Sequence, residues 1–137
     1  MPDKEVVERA KRDLREGKSP STAAGEFVRE EIEHVRQGKH GARSPQQAIA
    51  IGLGEARRAG IPLQPPGKGK TSAETRQKAE HDYVKGQASP ETHEEGTSRR
   101  GRSRLKAMKR EPKNTVSKEA LSRHAKTAAR KRRAAAN

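Results

Sequence analysis

The sequence predicts a mostly α protein: a small helical module followed by a basic, partly disordered C-terminal arm. Three observations carry that prediction. Apolar residues recur at helical spacing between Ser or Asp starts and Gly stops through the front of the chain. Hydrophobic residues make up 28% and aromatics 1% of the 137 residues, too little apolar surface for one large core. The charge is polarised: residues 99–137 hold 15 Lys and Arg against two Glu, a local excess of +13, whereas residues 1–40 carry nine basic and nine acidic side chains. The expected division is therefore a helical module over 1–63, a Pro/Gly linker with a weak helix and an acidic disordered stretch over 64–98, and a basic nucleic-acid-binding tail over 99–137.

Each element has a local reason. Asp3 is placed to cap a first helix running to about Glu16, with Val6, Val7, Ala10 and Leu14 on a narrow stripe and Gly17 as the stop. Ser19-Pro20 opens a second helix that runs to Gln37 before Gly38, since Pro at the first helical position loses no hydrogen bond. Its apolar face, Ala24, Phe27, Val28, Ile32 and Val35, is interrupted by Glu31. Ser44-Pro45 opens the third, and Gln47 three residues after Ser44 completes a capping box. Ala48, Ile49, Ala50, Ile51, Leu53 and Ala56 make that helix apolar nearly all round until Glu55, Arg57 and Arg58, so it is expected to lie between neighbours.

Beyond Gly60, the prolines and glycines of Ile61 to Lys70 cannot continue a helix, although Ile61 and Leu63 can fold back onto the core. Thr71 with Glu74 forms a second capping box, opening a weakly docked helix to about Lys85 whose large apolar groups are Tyr83 and Val84. Gln87 to Ser98, with Glu91, Glu94 and Glu95, reads as disordered and is positioned to occupy the basic tail when no nucleic acid is present. Leu105 and Met108 permit a short helix before Pro112. Ser117 caps a last helix with Ala120, Leu121, Ala125, Ala128 and Ala129 on one face, expected to order on contact with a partner.

The residues expected to bind nucleic acid are Arg99, Arg100, Arg102, Arg104, Lys106, Lys109, Arg110 and Lys113 in one block and Arg123, Lys126, Arg130, Lys131, Arg132 and Arg133 in a second. Each cation set against a phosphate releases a condensed counterion, which is why a basic tail grips a polyanion. Phe27 and Tyr83 both lie outside the blocks, so duplex backbone binding is favoured over stacking of splayed bases. A base-reading helix-turn-helix is disfavoured: Gly38 to Arg43 is longer than the usual turn, and the third helix is apolar rather than polar. Lys39, His40 and Arg43 beside Arg57 and Arg58 offer a minor basic patch.

Enzyme chemistry finds no support. Cys is absent, which excludes disulfides and thiolate zinc sites. His93-Glu94 begins a zinc-protease pattern, but Thr97 stands where its second His belongs. Gly52-Leu53-Gly54 lacks the strand and third Gly of a dinucleotide fingerprint and is better explained by close helix packing. His34, His40, His81, His93 and His124 are scattered singly on polar stretches and are expected at the surface. No catalytic residue, metal site or cofactor is expected, and neither is a signal peptide or membrane span.

The stretch Arg43-Ser44-Pro45-Gln46-Gln47-Ala48-Ile49-Ala50-Ile51-Gly52-Leu53-Gly54-Glu55-Ala56-Arg57 resembles the signature of a family of short, basic bacterial proteins of unknown function. Members show R-S-x-x-Q-A-I-A-I-G-L-x-E-A-R, often ahead of a Lys/Arg/Ala-rich tail. The similarity extends over Glu26 to Gly41 and, more loosely, Ala120 to Arg133, while Gly54 departs from the polar residue expected there. The resemblance implies a bacterial source and a nucleic-acid-associated role.

The function expected from these readings is sequence-tolerant DNA binding of nucleoid-associated or histone-like type, in the cytoplasm, by a protein that is not an enzyme. Self-association through the helical module is expected from an exposed part of its apolar third helix. The alternatives are an RNA- or ribosome-associated basic protein and an adaptor docking an acidic protein partner.

Overall fold

Among the described residues, serines open four of the six helices. In the computed structural model, which describes residues 3–90 and 99–136 and the side chains of all of these except Arg100 and Ala136, the helices are α1 (Lys4–Arg15), α2 (Pro20–Arg36), α3 (Pro45–Arg58), α4 (Ala73–Ala88), α5 (Arg99–Lys109) and α6 (Lys118–Ala136). There is no strand among the described residues. The hydroxyls of Ser19, Ser44, Ser72 and Ser117 accept from the backbone N–H groups of Thr22, Gln47, Thr75 and Ala120, each satisfying an otherwise orphaned amide of the first turn. At α3 the box closes from the other side, the Gln47 side chain accepting from the Arg43 N–H. Two expected caps are corrected. Ser72, not Thr71, opens α4, and the Asp3 side chain makes no cap bond; its N–H instead donates to the Glu30 carboxylate at 3.0 and 3.2 Å.

The stops at Gly17, Gly38 and Gly60 are one device used three times. After α3, Gly60 N–H donates to Arg57 O and Ile61 N–H to Ala56 O, the paired bonds of a Schellman ending. Gly38 does the same after α2 with φ at +76°, a value an L side chain rarely adopts, and this turns Lys39 and His40 back along the helix they have just left.

Packing follows chain order. α2 lies between α1 and α3, and α3 lies between α2 and α4. The first core cluster joins Val6 and Ala10 of α1, Ala23, Ala24 and Phe27 of α2, and Ala56, Ala59 and Ile61 at the end of α3. Leu63 packs on its edge, so the extended segment folds back as its sequence allows. Gly52 faces Val28 so closely that an added Cβ would lie 2.7 Å from the Val28 Cα, which confirms close helix packing as the reason for a small residue there.

The C-terminal region departs most from expectation. Its arm is helical, and the segment between α5 and α6 is part of the packed body rather than a spacer. Gly41 N–H donates to Met108 O and Ala42 N–H to Pro112 O, both at 2.8 Å, while Thr115 Oγ1 donates to Ala42 O at 2.7 Å. Arg36 Nε reaches Val116 O at 2.9 Å, and the Val116 side chain is fully buried in a second cluster with Val35, Ala42 and Ala48, flanked by Ile32 and Leu121. Gly41 has no room for a Cβ, because the Glu111 backbone passes over it. The tail is therefore strapped onto the α2–α3 loop through residues 108–121. Of the stretch from Gln87 to Ser98 expected to be disordered, Gln87 and Ala88 instead end α4, and residues 91–98 with Glu91, Glu94 and Glu95 lie outside the described residues.

Among the described residues no helix is long and apolar enough to cross a membrane. The apolar face of α3 is only partly covered: Ile49, Ile51 and Leu53 are partly buried and Ala50 is exposed, while the most exposed large hydrophobic residues described are Val84 and Leu105.

Replacing Gly52 with Ala is expected to cost about 1–3 kcal/mol, the usual penalty for overpacking, read as a lower urea midpoint; an unchanged midpoint would show that α2 and α3 have room to spare. Replacing Val116 with Ala is expected to release the strap, read as faster hydrogen exchange at the Ala42 amide with α1 protection retained.

Candidate functional site

The fourteen expected phosphate-binding residues divide between two helices and the strap. Arg99, Arg100, Arg102, Arg104, Lys106 and Lys109 lie on α5, and Arg110 and Lys113 on the strap. Arg123, Lys126, Arg130, Lys131, Arg132 and Arg133 lie on α6. All of them with described side chains are exposed. On α6 the order Arg123, Lys126, Arg130, Arg133 follows the three-and-four spacing of a single helix face, a stripe about 15 Å long at 1.5 Å per residue. The opposite side begins with Ala120, which is buried, and Leu121, which packs on the second core cluster; no described side chain after Leu121 is buried. The first turn of α6 thus holds the helix to the body and the rest presents charge.

The minor basic patch expected around the α2–α3 loop does not form. His40, Arg57 and Arg58 are buried. Arg57 donates from Nε to Leu63 O and from Nη2 to Gln64 O, both at 3.2 Å, tying the Pro-rich segment down, and burial lowers its pKa. Arg58 Nη1 sits 3.3 Å from Asp82 Oδ2, with both side chains nine-tenths buried. This contact corrects the expectation that α4 is weakly docked: α4 is held through Ala79, Asp82 and Gly86, the last too close to the Arg57 backbone to carry a Cβ. The polar C-terminal end of α3, Glu55, Arg57 and Arg58, is more buried than its Ile residues.

A cluster of acids and histidines lies between the two apolar clusters. Glu31 follows Phe27 and precedes Val35 by four residues each, so all three face inward, and the Glu31 side chain is 0% exposed. His40, returned by the Gly38 turn, places Nε2 3.2 Å from Glu31 Oε2 and is 3% exposed. His34, one turn along α2, places Nδ1 3.6 Å from Glu31 Oε1 and is 11% exposed. The two rings meet edge to face with centroids 5.8 Å apart. His40 Nδ1 is 3.0 Å from Gly41 O, which fixes the tautomer with Nδ1–H donating outward and Nε2 turned to Glu31. The surface position expected for His34 and His40 is therefore overturned, while His81 is exposed as expected.

Burial alone would push Glu31 up, but the nearness of His34, His40 and Glu55 outweighs it and holds its carboxyl below the usual range. Glu55 of α3 goes the other way. Its burial, and then the Glu31 charge it faces, raise it well above the usual range, so it carries the proton the pair shares. Glu31 raises His40 against the opposing effect of burial. Glu30, next along α2, is raised chiefly by burial.

Comparison of the chain with protein-family models, curated proteins and solved structures gave no match. Function is accordingly argued from these two features, the exposed basic helices and the buried acid–histidine cluster.

The Glu31 interruption of an apolar stripe, and the His three residues after it, were the sequence signals for the second feature. His40 had no such signal, because it arrives through a turn rather than a helical period.

Truncating Asp82 to Ala is expected to cost about 3 kcal/mol, since it removes a buried carboxylate from beside the buried Arg58 cation, whereas Lys78→Ala, which removes a long exposed contact to the same carboxylate, is expected to stay within about 0.5 kcal/mol. Urea unfolding of both variants checks this, and equal midpoints would count against it.

Proposed function

We propose that this protein binds duplex DNA through the phosphate backbone without base selectivity, using the exposed basic faces of α5 and α6 carried on the helical module. The observation that supports this reading is the α6 stripe: Arg123, Lys126, Arg130 and Arg133 on one exposed face of a helix whose first turn is anchored in the core. An anchored helix presents its charges together, so less ordering entropy is lost on contact than for a free tail. Phe27 is buried in the first cluster and Tyr83 Oη accepts from the Gln64 side chain on another element, so neither supplies a stacking platform beside the basic faces. Nucleoid association in a bacterial cytoplasm is the setting this chemistry suits.

Deleting everything after Thr97 would remove Val116 from the core together with the charge, so substitution is the cleaner test. If about 6–10 phosphates are neutralised, affinity for an arbitrary duplex falls on the order of 10³ to 10⁵ between 50 and 200 mM salt. Changing Arg123, Lys126, Arg130 and Arg133 together to Gln is expected to flatten the slope of log K against log salt by about three to four, equally for unrelated duplexes. A flat response in the parent chain, or an unaltered slope in the variant, would overturn the assignment. Preference for structured RNA in competition would transfer the site to that ligand.

A further inference from the structure

We propose that Glu31, His34 and His40 form a binding site for one divalent transition-metal ion of the zinc type, which fixes the α2–α3 loop that the C-terminal strap rests on.

Donor chemistry is the first argument. Two imidazoles and one carboxylate are a set that zinc and its borderline neighbours accept, and one ligand atom from each of the three lies within 4.8 Å of the others. Each imidazole lies at ligand-shell spacing from one of the two Glu31 oxygens. Bonds of about 2.0–2.1 Å to a tetrahedral zinc put neighbouring donor atoms about 3.3 Å apart, and the 3.2 Å of His40 Nε2 to Glu31 Oε2 and the 3.6 Å of His34 Nδ1 to Glu31 Oε1 fall on either side of that edge.

The second argument is what these atoms lack. Both Glu31 oxygens and His40 Nε2 are fully buried and make no hydrogen bond of acceptable geometry with the side chains around them. Glu31 Oε2 and His40 Nε2 lie 3.2 Å apart without the alignment of a hydrogen bond. Buried donors and acceptors are rarely left in that state, because the lost hydration costs about 1–3 kcal/mol for each. A cation bound among them would compensate all three atoms at once.

The third is support from outside the ligand set. His40 Nδ1 is directed at Gly41 O, the backbone-carbonyl partner by which a metal-binding histidine is oriented. Gly41 and Ala42 are in turn hydrogen-bonded to Met108 and Pro112 of the strap, so the residue after His40 is held on both sides. Glu31 and His34 are one turn apart on α2, with the ring and the carboxylate on the same face. Asp3, Glu30 and His34 make a second group within the same distance limit, but Asp3 is exposed and the Glu30 carboxylate already accepts from the Asp3 N–H, which leaves the inner group the better built.

The test is titration of the full chain, stripped with a chelator, with Zn²⁺ by calorimetry and with Co²⁺ by visible absorption. One ion per chain is expected, with a Co²⁺ d–d band of tetrahedral intensity and a rise in Tm on metal addition. Glu31→Gln and His40→Asn are each expected to weaken binding by more than about 100-fold, beyond the 10–100-fold typical of an outer-shell change, while Glu30→Gln and His81→Asn leave it unchanged. Should the buried variants fail to fold, His34→Gln, whose ring reaches the surface, is expected to lose the band with the helical signal intact. Absence of saturable binding overturns the site, as does binding that survives His40→Asn or His34→Gln, or that depends on Glu30 rather than Glu31.

Discussion

Glu31 sits where the buried stripe of α2 should be apolar, and the arrangement around it follows from that one carboxylate. A charge with no access to water must be compensated by neighbours, and the chain brings three of them from different places. His34 comes from the next turn of the same helix, His40 from the reversal at Gly38, and Glu55 from across the α2–α3 contact. The last is possible only because Gly52 lets the two helices approach to backbone distance. A Leu at 31 would merge the two apolar clusters and remove any reason for His40 to turn inward. The acid therefore selects a loop conformation as well as a helix contact.

That loop links the buried chemistry to the surface chemistry. Gly41 and Ala42 follow His40 directly and take the strap's hydrogen bonds, and Val116 fills the small pocket beside Ala42 and Ala48. The basic helices flank this docking segment. Charge on a tether and charge on an anchored helix share the same counterion thermodynamics, but they differ in how much freedom is lost on contact. The strap makes the arrangement of charges a property of the fold, dependent on a few hydrogen bonds and one valine.

The presence of helices α1 to α4, the Ser starts of α2 and α3 and the Gly stops after α1, α2 and α3 were legible in the sequence because capping is local: a hydroxyl before a helix and a glycine after it act within four residues. The return of Ile61 to the core was legible too. What was not legible depended on contacts far apart in sequence. Arg58 and Asp82 are 24 residues apart, and each looks like ordinary surface charge until α4 folds across α3. Val116 stands alone among Asn114, Thr115, Ser117 and Lys118, with no periodicity to mark it as core. The surface position expected for His34 and His40 fails because a polar neighbourhood in sequence is not a polar neighbourhood in space where a helix face turns inward or a turn brings a residue back over its own helix. Interruption of an apolar stripe by an acid was visible, and it was the one local hint of a buried polar centre.

Composition explains why such a chain folds around polar contacts at all. Of the fourteen buried hydrophobic residues among those described, nine are Ala, leaving Val6, Phe27, Val35, Ile61 and Val116 as the large ones. Alanines allow helices to approach closely but remove little apolar area from water, so transfer free energy alone favours this packing only weakly over shifted alternatives. Ridges of Ala slide past one another at small cost. A buried acid that must meet two particular imidazoles and one particular carboxyl tolerates no such slip, because a shift of one helical turn would leave it unpaired in the core. In a protein with so little apolar material, the polar cluster supplies the register that larger side chains supply elsewhere, and the position of the basic helices is set by that register.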